Sequence, residues 1–297
     1  MACSAWGWLP REIPELEIYL PSRMGDLLDY LAGEGRGASI IAGGTDIIPA
    51  MRRGALRPRR LVDITGLREL RYVKHDNGIV RIGALTAVSQ LVSSVAWLGR
   101  RYYCFKAMDI HFGSWSIRNM ATVGGNISSG GERDLVQVFH VLEGYARIKS
   151  REGERIAPAW RPELREDEII TEVFFKDLGK NSWTWFNKLE MRAANGIGIV
   201  TVSLMLRLDD NYVVDEIRIA LNRVRGREAG RAHEAERFLT GKRIGYEMLR
   251  EAMEVMEREI SPASDFRASG EFRREASKIL TRRAIEAAAK MITGGEA

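Results

Sequence analysis

Cysteine is almost absent from this sequence of 297 residues, since only Cys3 and Cys104 occur. Two thiols so far apart cannot build a disulfide framework, which needs several pairs. They also cannot ligate an iron–sulfur cluster by themselves, because the common clusters take four cysteine thiolates. If the protein works with an iron–sulfur centre, another chain must hold that centre.

Long apolar segments are also missing. The longest apolar runs, such as residues 40–42 and 196–206, are far shorter than the roughly 20 residues that a membrane-spanning helix needs. The first residues include Trp6 and Trp8 but lack the basic start, continuous apolar segment and small-residue cleavage site of a secretory signal. These absences predict a chain without a membrane span and with a cytoplasmic location.

Large clusters of one charge sign are absent as well. The formal net charge is +5, but arginine is interleaved with glutamate, a pattern that disfavours nucleic-acid binding. The basic segment at residues 223–227 is interpreted as a solvated surface first and as a partner-docking surface second. The length and the 45% content of hydrophobic residues are enough for two hydrophobic cores, which predicts two domains.

The first half of the chain shows strand and helix patterns in alternation. Turn residues at 76–78 separate two of the strands. The predicted strands are 39–42, 61–64 and 79–82, and the predicted helices are 23–31, 47–53, 88–95, 97–108 and 134–142. We expect residues 111–125 to form a loop, and the charged residues 150–167 to form a surface crossing between strands.

Strand patterns dominate residues 169–221, and helical patterns dominate the remainder. The predicted strands are 169–175, 183–188, 197–208 and 212–221, and the predicted helices are 228–239, 246–260 and 271–291. Linker-like composition places a domain boundary near Lys180. The pattern predicts an α+β fold whose second domain has a three-stranded antiparallel sheet and three helices.

Two glycine pairs are the strongest candidates for a binding site. Gly43 and Gly44 lie between Ala42 and Thr45-Asp46, and the second pair follows Thr122 in the segment 121–126. Successive glycines let backbone N–H groups converge on an anion such as a pyrophosphate. Neither pair has the spacing of a Rossmann or P-loop motif. Either pair alone is most often a tight turn, so their joint occurrence carries the prediction.

These glycine pairs lie within longer segments that together resemble the sequences of a known family. The strongest are IAGGTDIIP (41–49), LVDI (61–64), IGA (82–84) and IRNMATVGGNI (117–127). Weaker matches are residues 164–173, FNK at 186–188 with Arg192 four residues later, and DFR at 265–267. Together they cover nearly the whole chain, which resembles the FAD-binding medium subunits of the molybdenum hydroxylases, such as aerobic carbon monoxide dehydrogenase, aldehyde oxidoreductase and xanthine dehydrogenase.

The resemblance implies the two-subdomain FAD fold of the vanillyl-alcohol-oxidase type over residues 12–179, split near residue 60, and a C-terminal domain of the carbon monoxide dehydrogenase flavoprotein type over residues 180–297. It implies FAD as the cofactor, with the pyrophosphate between the two glycine loops, and no catalytic or metal-binding residue in this chain. The cofactor-binding residues expected from it are Ile40, Ala42, Gly43, Gly44, Thr45, Asp46, Ile47, Phe112, Gly113, Ile117, Thr122, Gly124, Gly125, Asn126, Asp134, Ile170 and Lys188.

Several of these residues have a second interpretation. Asp134 is either a helix cap or an acceptor of hydrogen bonds from ribose hydroxyls. Lys188 is either a solvated strand lysine or a cation that stabilises the reduced flavin ring. Ile117 and Ile170 are also compatible with ordinary core positions. His111 and His140 stand apart from any metal-ligand pattern, so we expect them to be structural.

The sequence departs from the family pattern after the second glycine loop. Residues 128–133, SSGGER, stand where relatives usually have a proline, and Gln137 replaces a later expected proline. The crossing at 150–164 is shorter than usual and lacks an aromatic pair. We therefore expect the adenosine end of the cofactor to be held differently, and the FAD affinity to be the property most affected.

The resemblance implies electron transfer as the function. A partner's [2Fe-2S] cluster would reduce the bound FAD, and the flavin would pass electrons to an external acceptor. The expected partners are a large molybdenum-cofactor subunit and a small [2Fe-2S] subunit, assembled as a dimer of heterotrimers. Two alternatives stay open, namely a self-sufficient FAD-dependent oxidoreductase of the same fold and a scaffold subunit that has lost its flavin.

Overall fold

The computed structural model describes residues 15–192, 195–225 and 228–294, and its strands form three sheets. Within these ranges, none of the helices is both long and apolar enough to cross a bilayer. The expected domain start at residue 12 and the side chains of the basic segment 223–227 lie outside the described residues. The domain limits at 179 and 180 and the split near residue 60 stay predictions.

The first sheet has three parallel strands in the order β1-β3-β2. Its elements are β1 (Glu17–Tyr19), α1 (Met24–Ala32), β2 (Ser39–Ile41), α2 (Ile47–Arg52) and β3 (Arg60–Asp63). Helix α1 buries Leu27 and Leu31 against Val62 of β3, as the apolar spacing of its sequence predicts. Strand β2 leads directly into the first glycine loop, which ends where α2 begins.

The second sheet has five antiparallel strands in the order β4-β5-β8-β6-β7. The strands are β4 (Val73–Asp76), β5 (Ile79–Gly83), β6 (Tyr145–Ser150), β7 (Gly153–Pro158) and β8 (Ile169–Lys176). Asn77 and Gly78 both have positive φ values, 49° and 73°, as a two-residue hairpin turn requires. Part of the predicted surface crossing at 150–167 forms strand β7, because it pairs with the preceding strand.

Five helices pack on this second sheet region. They are α3 (Val88–Leu98), α4 (Tyr103–His111), α5 (Trp115–Met120), α6 (Val123–Ser128) and α7 (Asp134–Val141). The expectation of a loop over residues 111–125 is wrong, since helix α5 and the first residues of helix α6 lie there. Both are single short helices whose caps are side chains, with Ser114 and Thr122 accepting hydrogen bonds from Ile117 and Gly125 backbone N–H groups. Helices of six residues are too short to show an apolar period.

The third sheet has four antiparallel strands in the order β12-β11-β10-β9, not the three predicted. The strands are β9 (Ser182–Glu190), β10 (Gly198–Leu208), β11 (Val214–Arg225) and β12 (Glu228–Arg231), and the helices are α8 (His233–Leu239), α9 (Tyr246–Glu259) and α10 (Gly270–Thr293). Residues 228–231 are therefore a strand and not the start of the predicted helix. Pairing of Arg231 with Ala220 in β11 overrides the helical charge pattern. The α+β class and the three C-terminal helices agree with the prediction.

A buried glutamine joins the third sheet to helix α7, one of the helices that pack on the second sheet. The Nε2 of Gln137 in α7 donates to the carbonyl oxygens of Thr201 (2.9 Å) and Ala220 (3.1 Å), and the residue has no exposed surface. Buried polar groups that find partners fix one arrangement of the surrounding elements. Gln137 thus holds α7, and with it Asp134, against strands β10 and β11.

A buried carboxylate holds the crossing between β7 and β8. Glu168 accepts hydrogen bonds from Arg155 Nε and Nη2, both at 2.7 Å, and from the backbone N–H of Arg165 at 2.8 Å. Its side chain is only 1% exposed. The Arg155 guanidinium, aided by the Arg165 backbone, lowers the pKa of Glu168 to about 2 because these donors favour the charged form.

We predict that Glu168→Gln lowers the free energy of unfolding near neutral pH by about 1–3 kcal/mol, since it removes charge-assisted hydrogen bonds from a buried site. The folded pKa lies below the ordinary value of 4.5, so the contribution of the carboxylate is complete above that value and is lost as the pH falls towards about 2. Denaturant unfolding at several pH values should show the wild-type advantage shrinking through this window. An equal advantage at all pH values would contradict this assignment, and Glu163→Gln, at an exposed pair, is the matched control.

Candidate functional site

Three adjoining cavities form one long cleft, and all seventeen expected cofactor-binding residues line it. We name them the apolar cavity, of about 290 Å³, the glycine-loop cavity, of about 90 Å³, and the large cavity, of about 630 Å³. Thr122 and Gly125 line both the apolar and the glycine-loop cavities. Thr45 and Asp46 line both the glycine-loop and the large cavities, so the glycine loops form the centre of the cleft.

The two glycine loops touch through their backbones. A Cβ atom on Gly43 would lie 1.7 Å from the carbonyl oxygen of Met120, so only glycine allows this approach. Gly44 has a φ of +70°, which fits the tight-turn interpretation. The first glycine is thus required by contact between the loops, and the second by the turn.

The second loop is held by backbone contacts with Ala84, which follows strand β5, and with Val88, the first residue of helix α3. A Cβ atom on Gly124 would lie 2.7 Å from Ala84 Cβ, and the backbone N–H of Gly124 donates to Ala84 O at 2.8 Å. The backbone N–H of Val88 donates to Ala121 O at 2.9 Å. These contacts make the loop a rigid, backbone-lined wall, which is the kind of surface that recognises a diphosphate.

The apolar cavity lies on one side of the glycine loops. Most of its lining side chains are aliphatic. Ile170 is only 3% exposed, so this residue belongs to the hydrophobic core and also lines the cleft. The lining residues are Ala38, Ile40, Ala42, Ile64, Ala84, Leu85, Thr122, Gly124, Gly125, Ser128, Leu164, Arg165, Glu166, Glu168, Ile169 and Ile170. A narrow aliphatic cavity of this kind suits a flat ring.

The large cavity lies on the other side and is more polar. Three side chains from neighbouring strands face it in one row, since Thr201 of β10 is in register with Lys188 of β9 and with Asn222 of β11. Thr201 and Asn222 are absent from the sequence-based set, because their place depends on strand register. Phe112, Gly113 and Ile117 complete the expected residues at this end.

Lys188 is the centre of a buried charged cluster. Its Nζ lies 3.2 Å from Asp134 Oδ2 and 2.9 Å from Glu190 Oε1, and it donates to the carbonyl oxygen of His111 at 3.1 Å. The Lys188 side chain is 7% exposed, which excludes a solvated lysine. Glu190 was not expected, although a strand places residues two positions apart on the same face.

Burial and charge act in opposite directions on this cluster. Burial raises the pKa of Asp134, and the Lys188 ammonium opposes that rise. Burial lowers the pKa of Lys188, but Asp134 and Glu190 outweigh it, so the net shift is upward and the ammonium stays charged. Asp134 begins helix α7, and the preceding Arg133 is the N-cap. The helix-cap interpretation of Asp134 is therefore wrong, because its carboxylate binds Lys188.

The histidines have structural contacts. His140 stacks on Trp160 with 4.6 Å between ring centroids, and burial lowers its pKa to about 4. His111 packs edge-on against Phe186, and burial lowers its pKa, with Lys188 adding to the effect. In the part of the chain that the structure describes, no group of three or more His, Cys, Asp or Glu residues is arranged to hold a metal ion.

Comparison with known proteins gives matches over nearly the whole chain. Residues 14–175 match the family model of the FAD binding domain in molybdopterin dehydrogenase, and residues 185–288 match the CO dehydrogenase flavoprotein C-terminal domain. The glyceraldehyde dehydrogenase medium chain of Sulfolobus acidocaldarius is 28% identical over 92% of this chain and 98% of its own length. The carbon monoxide dehydrogenase medium chain of Hydrogenophaga pseudoflava is 26% identical over 93% and 97%.

A solved structure supports the same fold. Carbon monoxide dehydrogenase from Hydrogenophaga pseudoflava, in a form that lacks the Mo-pyranopterin moiety of its cofactor, contains a chain that superposes with a TM-score of 0.86 at 25% identity. The alignment covers 94% of this chain and 98% of that one. This agreement confirms the predicted fold class.

We predict that Gly43→Ala separates the two glycine loops, because the new methyl group would overlap a backbone carbonyl that cannot rotate away. The expected cost is about 1–3 kcal/mol of stability, together with a loss of FAD binding. Thermal unfolding and FAD titration measure the two effects. Gly25→Ala is the matched control, since a Cβ atom there has no neighbour within 4 Å. Unchanged FAD binding in Gly43→Ala would contradict the required loop contact.

We predict that Lys188→Met destabilises the fold near neutral pH by about 3–5 kcal/mol, because it leaves buried carboxylates without their cation. The raised pKa of Asp134 sets the sign of the pH dependence. The variant should recover stability relative to wild type as the pH falls and Asp134 takes up a proton. Denaturant unfolding as a function of pH tests this.

The control for this experiment is Lys106→Met, at an exposed pair with Asp109, which should cost less than about 1 kcal/mol. A Lys188→Met variant as stable as this control, with no recovery in acid, would show that the cluster is not a buried charge network.

Proposed function

The chain belongs to the family of FAD-binding subunits of molybdopterin dehydrogenases, and from this membership we propose that it is the electron-transfer subunit of a molybdenum hydroxylase. The membership confirms the resemblance found in the sequence and FAD as the cofactor of the family domain. The observation that carries the proposal is the single cleft, with touching glycine loops at its centre and a buried lysine at one end.

The three cavities of the cleft correspond to three parts of FAD, the diphosphate and the two ring systems. The glycine-loop cavity, lined by residues 42–47 of the first loop and by Ala121, Thr122, Gly125 and Asn126 of the second, suits the diphosphate. The apolar and large cavities on either side of it suit the two ring systems of FAD, adenine and isoalloxazine. Under this proposal the seventeen expected residues hold the cofactor, and Ser128, Thr201 and Asn222 are further candidates from the same cavities.

FAD bound in this cleft would supply the redox chemistry, namely electron transfer from a partner's [2Fe-2S] cluster to an external acceptor. The chain's own residues bind and orient the ring system and shield it from water. Lys188 keeps a positive charge beside the large cavity, where it favours negative charge on a bound ring. Its partners Asp134 and Glu190 hold the ammonium in place.

The proposed partners are a large molybdenum-cofactor subunit and a small [2Fe-2S] subunit, in a cytoplasmic dimer of heterotrimers. Support comes from the relatives, which are named medium chains of dehydrogenases. The two cysteines of the sequence, Cys3 and Cys104, are too few to ligate a cluster. Substrate oxidation would then take place on the molybdenum subunit.

The visible absorption spectrum of the purified chain, before and after incubation with FAD, tests the proposal. We expect the oxidised-flavin bands near about 375 and 450 nm to remain after free FAD is removed. Co-expression with a molybdenum subunit and an iron–sulfur subunit should give a complex with about one FAD per chain. A chain that stays colourless both alone and in the complex would support the flavin-free scaffold instead. A chain that oxidises substrate without partners would support the self-sufficient oxidoreductase.

A further inference from the structure

The centre of the cleft has an unfavourable charge for a diphosphate. Among the described residues that line the glycine-loop cavity, the one charged side chain is the carboxylate of Asp46. A diphosphate linkage carries two negative charges, and like charges within a few ångströms repel by about 1 kcal/mol or more even in a high dielectric. Binding FAD here, as the proposed function requires, therefore needs a compensating cation.

Arg133 lies at the position where such a cation is needed. Its Nη2 is 2.9 Å from Asp46 Oδ1, and Ser129 Oγ donates to the other carboxylate oxygen, Oδ2, at 2.9 Å. Both carboxylate oxygens thus have a partner from the segment 128–133. Arg133 also lines the large cavity, so its guanidinium lies at the junction between the two cavities.

The segment 128–133 forms a strap from the second glycine loop to the first. Gly130 and Gly131 both have positive φ values, 62° and 64°, and a Cβ atom on either would meet nothing within 4 Å. The strap is held by Asp46, which contacts Ser129 and Arg133, and by Asn222, whose Nδ2 donates to the Glu132 carbonyl oxygen at 2.9 Å.

We propose that Arg133 is a cofactor-positioning residue that neutralises Asp46 and so allows the glycine-loop cavity to accept the diphosphate of FAD. The inference rests on the proposed function. An ion pair whose side chains are 44% and 39% exposed contributes little to folding. Its effect is on anion binding, because removal of the guanidinium leaves the Asp46 carboxylate facing the diphosphate.

The test is FAD affinity, measured by quenching of flavin fluorescence, for Arg133→Gln, Asp46→Asn and the double variant. We expect Arg133→Gln to raise the Kd about tenfold, equivalent to one strong like-charge contact. The double variant should return to within about threefold of wild type, since the repelling carboxylate is gone. Added salt should narrow the gap between Arg133→Gln and wild type by screening the repulsion.

Two control variants isolate the charge. Arg133→Lys keeps the cation and should stay within about threefold of wild type. Arg161→Gln removes an exposed arginine that pairs with Glu163 and should not change the Kd. Melting temperatures without FAD show whether each variant is folded.

A Kd for Arg133→Gln equal to that of wild type would overturn the inference. So would a double variant as weak as Arg133→Gln, because the effect would then not pass through Asp46. Wild-type protein that binds no FAD overturns the proposed function and the inference with it, and this outcome is distinct from binding that is insensitive to charge.

Discussion

The close contact between the two glycine loops is the constraint on which the rest of the cleft depends. The first loop continues a strand of the parallel sheet, and the second lies on the antiparallel sheet, so the approach of Gly43 to the Met120 carbonyl joins the two regions. A side chain at position 43 would push the loops apart and open the centre of the cleft. The apolar and large cavities take their positions on either side of this contact.

A second set of buried polar contacts places the third sheet at the end of the cleft. Gln137 fixes helix α7 to strands β10 and β11, which sets Asp134 beside Lys188. A buried ammonium is costly unless several acceptors surround it, and here two carboxylates and the His111 carbonyl do so. Contacts within the chain therefore position the lysine, which is the kind of preorganisation that the proposed flavin site needs.

The sequence predicts much of this arrangement because its strongest patterns are local. The glycine pairs, the strand before Gly43 and the long C-terminal helices are visible within short windows. Strand β12 and the short helices α5 and α6 were missed, since pairing and capping decide them. Thr201, Asn222 and Glu190 depend on strand register and alternation, and the Asp46–Arg133 pair joins residues far apart in the chain, so no local pattern contains it. The domain limits stay predictions.

The most direct test of the account is electron transfer into the bound flavin. The FAD-loaded chain would be mixed without oxygen with a chemically reduced partner [2Fe-2S] subunit, and the flavin absorbance near about 450 nm followed in a stopped-flow instrument. The account predicts bleaching that requires the reduced partner and does not occur with its oxidised form. A flavin that stays oxidised beside the reduced iron–sulfur subunit would contradict the central claim.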